Sequence, residues 1–218
     1  SLLDSHTQVL TFNGHLIGYY GFWKSTEHMR RNVNCMTEDI VYKFVCKHIE
    51  HFKSYYDEHE RKHMLGDNRD ESLVINIRDF TDIVCSLMEG IELSSKNFLV
   101  AIYAAFSEIL GHDLMKKRTL FHHMHHRTEL NEFIKDFPNT KIISTTRDPR
   151  GNYYSGILHR MNCYAIYTYL ERIFVDTYIL DQYECKYTSI RIEDLGREEI
   201  LEKISEWMIN LKKVFYKY

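Results

Sequence analysis

The chain has 218 residues, enough for one domain of ordinary size carrying an insertion. Hydrophobic residues make up 44% and charged residues 27%, a composition that supplies a core and excludes a disordered chain. Lys and Arg number 28 against 31 Asp and Glu; the net charge of −3 lacks the basic excess of a dedicated nucleic-acid binder but leaves room for a local anion site.

Ser1 to Ser5 reads as the end of a helix with nothing before Leu2 to cap it. Gln8 to Phe12 is a β-rich run closed by Asn13-Gly14, so a short strand is expected there. The run from Ser5 to Trp23 is free of Asp, Glu, Lys and Arg. Its His, Gln, Asn and Thr nevertheless exclude a membrane span, and no basic segment precedes an apolar run as in a signal peptide. Gly14, Gly18 and Gly21 read as a flexible turn, with an acceptor-shaping loop as the functional alternative.

Ile40, Val41, Phe44, Val45, Ile49 and Phe52 fall on one side of a helix expected from Glu38 to His63. Asp67 to Asp70 is a polar break. Helices follow over Phe80 to Met88 and Asn97 to Leu110, the second with Ser94 or Ser95 as cap and Gly111 as stop. Thr119 to His123 reads as a short strand. Thr128 is placed to cap a helix that buries Leu130, Phe133 and Ile134 and is closed by Pro138. Lys141 to Thr146 is β-branched at most positions, as in a strand covered on both faces.

A helix is expected from Gly151 through Leu158, another from Tyr164 to Leu180, and a strand from Tyr187 to Ile192. The repeat of Ile200, Leu201, Ile204, Trp207, Met208, Leu211, Val214 and Phe215 predicts an amphipathic helix. Strands alternating with helices point to an α/β architecture with a parallel sheet. Five cysteines, Cys35, Cys46, Cys85, Cys163 and Cys185, are odd in number, widely spaced and form no C-x-x-C. They read as thiols in a reducing compartment, so a cytoplasmic setting is expected.

The chemistry concentrates around Arg147. A buried strand ends there, Pro149 fixes one φ in the turn, and a helix follows. Ligands of parallel sheets sit at the carboxyl ends of strands, and helix starts offer free N–H groups. Arg147 would aim its planar fork at an anion, and Ser155, early in the helix, would offer its hydroxyl to the same group.

This segment resembles the PAPS-dependent sulfotransferases, where PAPS is 3′-phosphoadenosine-5′-phosphosulfate. Their 3′-phosphate motif is a strand, then Arg-Asp-Pro-Arg, then Ser eight positions after the first Arg, the interval between Arg147 and Ser155. Phe137 to Ile143 is similar to the family's lead-in to that strand. Leu2 to Val9 resembles the segment after its 5′-phosphosulfate loop, and Ile190 to Leu195 resembles its Tyr-Glu-Asp-Leu segment. The resemblance implies a P-loop-nucleotide-hydrolase-like three-layer sandwich with a central parallel sheet, helix-rich, as one domain over residues 1–218 with a helical insertion at about 38–115. It implies transfer of a sulfuryl group from PAPS to a hydroxyl or amine, with a carbohydrate or protein as possible acceptor. Arg147 and Ser155 would bind the cofactor.

The same resemblance places a catalytic base some twenty residues before the motif Arg. His122, His123, His125 and His126 occupy that window, with His125 preferred and His126 second. The family's 5′-phosphosulfate loop and its Lys would lie directly before Ser1, so the chain is expected to be a piece truncated at its N-terminus. Two departures stand. The basic Gly segment is not recognisable after Leu195, and Ile192 occupies the place of an adenine-contacting Tyr.

Rival readings are a degenerate, non-catalytic member of that family and a metal binder or zinc hydrolase. His59-Glu60-Arg61-Lys62-His63 matches H-E-x-x-H in form, but Asp57, Glu58, Arg61 and Lys62 give it the look of a solvated helix face. The His122 to His126 run could hold a transition metal. Tyr164, Tyr167, Tyr169 and Tyr178 read as helix packing. No Walker A or G-x-G-x-x-G pattern occurs, so kinase and dinucleotide readings lack support.

Overall fold

A computed structural model describes residues 7–12, 16, 18–32, 35–54, 64–124, 129–158, 187–194, 197 and 199. The segments expected as helices over Ser1 to Ser5, Tyr164 to Leu180 and Ile200 to Phe215 lie outside the described residues, as does Gly14. The described chain mixes helix and strand, and both of its strand pairs are parallel. It groups into two compact units, Ser1–Phe137 and Pro138–Tyr218.

The first unit is helical around one parallel pair. Strand β1 (Val9–Leu10) pairs with β2 (Thr119–Leu120), Val9 facing Thr119. Between them run α1 (Tyr19–Ser25), α2 (Glu27–Arg30), α3 (Thr37–Lys47), α4 (Ile49–Phe52), α5 (Ile77–Met88) and α6 (Ser95–Ile109), and α7 (Leu130–Asp136) follows. Helix α6 buries Phe98, Leu99, Ile102, Tyr103 and Phe106, spaced so that one face meets α5, which in turn meets α3. The core is aromatic. Phe44 of α3 is fully buried and touches the rings of Phe12, Phe22, Phe52 and Phe98. Such pairs add to their area burial through edge-to-face contact.

The helix ends obey local chemistry. Ser94 caps α6, its hydroxyl oxygen accepting from Asn97 N at 3.2 Å, and Gly111 follows the helix at φ 76°. Asn76 caps α5 by accepting from Arg78 N and Asp79 N. Replacing Ser94 by Ala is expected to cost about 1 kcal/mol, measured by urea unfolding. Loss of less than about 0.3 kcal/mol would show that water satisfies the freed N–H equally well.

Three expectations change. The helix expected from Glu38 to His63 ends at Lys47, turns at His48 (φ −120°, ψ 35°) and resumes for one turn as α4. The returning segment takes the backbone groups a longer helix would need. Ile75 N donates to Phe52 O at 2.8 Å, and Ser54 N donates to Leu73 O at 2.9 Å. Gly21, read as part of a flexible turn, lies inside α1, where its N–H donates to Glu129 Oε1 at 2.9 Å; Gly18, at φ 73°, supplies the turn instead. Ile134 is half-buried rather than core, while Leu130 and Phe133 are buried as expected.

The second unit is built on β3 (Ile142–Thr146), paired in parallel with β4 (Tyr187–Arg191), with α8 (Pro149–Leu158) between them in sequence. The register runs from Ile142 opposite Tyr187 to Thr146 opposite Arg191. Strand β3 is not covered on both faces along its length. Ser144 is buried, but Thr145 and Thr146 are exposed.

Candidate site at the end of strand β3

Parallel pairing carries Arg147, which follows β3, and Glu193, which follows β4, to the same end of the sheet. Helix α8 starts at Pro149, two residues before the expected Gly151. Proline at a helix start gives up an N–H that would have no partner, and its φ is already helical. Asp148, just before it, supplies the missing acceptor: its Oδ1 accepts from Arg150 N at 2.8 Å.

Asp148 also binds the Arg150 side chain with both oxygens. Arg150 Nε donates to Oδ1 at 3.1 Å and Nη2 to Oδ2 at 2.7 Å. These bonds from the Arg150 side chain, then its N–H and that of Gly151, hold the Asp148 carboxyl well below the usual range. Asp148 in turn raises the Arg150 guanidinium. The second Arg of the motif is therefore already occupied.

Asp148 N donates to Glu193 Oε1 at 3.1 Å, fastening the turn after β3 to the turn after β4. That bond, then the Glu193 N–H, with Arg191 and Arg147 adding smaller electrostatic effects, lowers the Glu193 carboxyl, and Arg191 Nε lies 3.8 Å from Glu193 Oε2. Among the described residues, Arg147, Arg150 and Arg191 thus lie around the carboxylates of Asp148 and Glu193, while Asp194 of the same turn pairs with Arg197 at 3.3 Å.

Arg147 is exposed and folds back over α8. A Cβ placed on Gly151 would lie 3.5 Å from Arg147 Nε and 4.0 Å from Cζ and Nη2. Gly151 and Ser155 are four residues apart in one helix and so share a face. The guanidinium therefore lies on the stripe of α8 to which Ser155 belongs. Ser155 sits in the second turn, roughly 9 Å along the axis from Pro149 at ~1.5 Å per residue.

The base candidates lie in the other unit. His125 and His126 fall outside the described residues, as do His59 and His63 of the zinc-like motif. His122 is packed among Tyr19, Tyr103 and Phe133, its ring stacked on Phe133 at 5.0 Å. Its Nδ1 shares a hydrogen bond of 2.9 Å with the Tyr103 hydroxyl, and its Nε2 is sealed from water without a hydrogen-bond partner among the described residues. Burial, then His123, pushes the imidazole down to about 4, so it is neutral and structural. His123 is exposed.

Sequence reasoning missed two features. Glu193 as the link between the two turns required knowing that β3 and β4 are neighbours. A cluster of His48, Glu50 and His51 required the break between α3 and α4. The Asp148-Pro149 pair was a visible signal for the helix start. No family model, curated protein or solved structure matches the chain.

Proposed function

We propose that this chain is part of a sulfotransferase that moves a sulfuryl group from PAPS to a hydroxyl or amine. In the reaction the acceptor oxygen or nitrogen forms a bond to sulfur, the bond from sulfur to the 5′-phosphate oxygen breaks, and the acceptor proton passes to a base. Adenosine 3′,5′-bisphosphate leaves. Arg147 and Ser155 hold the 3′-phosphate, and His125, or failing that His126, is the base. The full fold under this reading is a P-loop-like three-layer sandwich.

One observation carries the reading. The Arg147 guanidinium lies over Gly151, on the helix stripe shared with Ser155, at the carboxyl end of a parallel strand pair. The Arg147 guanidinium is suited to a doubly charged phosphate through paired, charge-assisted hydrogen bonds, the first-turn N–H groups of Arg150 and Gly151 being taken by Asp148. The Asp148 clamp on Arg150 and the Glu193 tether hold the turn that carries Arg147, which supports the reading.

Calorimetric titration with adenosine 3′,5′-bisphosphate tests the reading, with adenosine 5′-monophosphate as the comparison lacking the 3′-phosphate. Micromolar binding of the first and at least tenfold weaker binding of the second is the expected result. Equal affinity, or none for either, overturns it. His125→Ala is expected to lower turnover about 100-fold or more with nucleotide affinity unchanged. Tight nucleotide binding by a protein with no transferase activity toward any acceptor would support the non-catalytic member instead.

A further inference from the structure

Where α3 gives way to α4, His48, Glu50 and His51 each bring one ligand atom to within 4.8 Å of the others. His48 and His51 are each 3% exposed, whereas the Glu50 side chain is 36% exposed. The setting is aromatic: Phe44 lies 4.7 Å from the His48 ring and Phe12 lies 5.4 Å from the His51 ring. His48 Nε2 is sealed from water and has no hydrogen-bond partner among the described residues. Buried polar atoms are rarely left in that state, so an orphaned imidazole nitrogen in an aromatic core calls for an explanation. Beside it, His51 Nε2 and Glu50 Oε1 are 3.4 Å apart.

We propose that His48, Glu50 and His51 form a binding site for a divalent transition-metal ion of the zinc class. Two imidazoles and a carboxylate are a donor set such ions accept, with a fourth position open to water. Metal–ligand bonds of about 2.0–2.2 Å place the ligand atoms of a tetrahedral site roughly 3.4 Å apart, so the cluster must contract by about 1.4 Å at its widest. Glu50 already lies 3.4 Å from His51 Nε2 and, reaching solvent, gives the ion its way in. The neighbouring cation, Lys47, is engaged by the Gly18 carbonyl at 3.2 Å. The ion would clamp the helix break itself, holding α4 and Phe52 against the core. The site lies wholly within the first unit and does not depend on the sulfotransferase reading.

The test uses the full chain, stripped with a chelator and dialysed, then titrated with zinc chloride by calorimetry and with cobalt(II) by visible absorption. One equivalent binding at micromolar strength or tighter, tetrahedral cobalt bands and a rise of several degrees in melting temperature are expected. Glu50→Gln should weaken that equivalent at least tenfold, and His48→Gln should remove it. Because His48 is buried and its variant risks misfolding, Glu50→Gln decides alone if necessary, its side chain being half in solvent. Zinc affinity within threefold of wild type in Glu50→Gln, or no binding at micromolar metal, overturns the proposal. Loss of the equivalent on changing His125 and His126, with Glu50→Gln unaffected, would also overturn it.

Discussion

Arg147→Ala is expected to weaken binding of adenosine 3′,5′-bisphosphate by roughly 30- to 1,000-fold, or about 2–4 kcal/mol. The magnitude follows from a charge-assisted fork on a phosphate, larger than a neutral hydrogen bond and larger than an exposed ion pair. Arg150→Ala should do much less, because Asp148 already engages the Nε–Nη2 edge of that guanidinium and neutralises its charge. The contrast is the useful part. A general loss of positive charge would penalise the two substitutions alike, whereas a specific contact singles out Arg147.

Stability should barely move in Arg147→Ala, since the side chain is exposed and surface changes usually fall within about 0.5 kcal/mol. Gly151 gives a second handle on the same contact. Gly151→Ala puts a methyl 3.5 Å from Arg147 Nε, an ordinary contact, and should leave affinity within a few-fold. Gly151→Leu would fill the space the guanidinium occupies and should weaken the nucleotide nearly as much as removing Arg147. Titration of the four variants against the wild type checks the set. Equal losses in Arg147→Ala and Arg150→Ala would refute the assigned roles.

What the sequence disclosed was local. Ser94, Gly111 and Pro138 mark helix ends through bonds and dihedral limits spanning a few residues, and each stands at such an end in the structure. The β-branched run before Arg147 forms β3, and the strand expected at Tyr187 forms β4. The unread parts depend on partners distant in sequence. The helix is not continued past Phe52 because Ile75 and Leu73 bond to Phe52 and Ser54, a competition invisible to periodicity. Helix α1 was hidden by its own composition, four aromatic residues and a glycine in seven, a poor helix former by propensity.

The site was legible to the same depth. The order strand, Arg, Asp-Pro, helix could be read off the chain because it is one continuous stretch. The Glu193 tether could not, being 45 residues from its donor. The run of histidines looked uniform, yet Tyr19, Tyr103 and Phe133 converge on His122 and give it a different environment from exposed His123.

That environment makes His122 a source of acid sensitivity, with a full expected effect of about 3 kcal/mol, of which about 2 kcal/mol is reached by pH 5. The imidazole titrates near 6.5 in the unfolded chain and is pushed down to about 4 in the fold. Between those values the unfolded state carries the extra proton. Its contribution to stability is therefore complete above pH 6.5, falls as pH drops toward 4, and levels off below. The physical cause is that protonation adds an N–H at a ring whose Nε2 edge has no acceptor among the described residues. His48, pushed down to about 3 mainly by burial, acts in the same direction.

Urea unfolding of wild type and His122→Gln, at pH 7.5, 6 and 5 with a chelator present, isolates the effect. His48 and the carboxylates are common to both proteins and cancel in the difference. The stability advantage of wild type should shrink as pH falls through this window. A difference independent of pH would mean that His122 titrates normally in the fold. It would then have to be open to solvent and would regain its place among the possible bases. A sealed nitrogen can neither take an acceptor proton nor return one to water, so the acid sensitivity of His122 and its exclusion from catalysis stand or fall together.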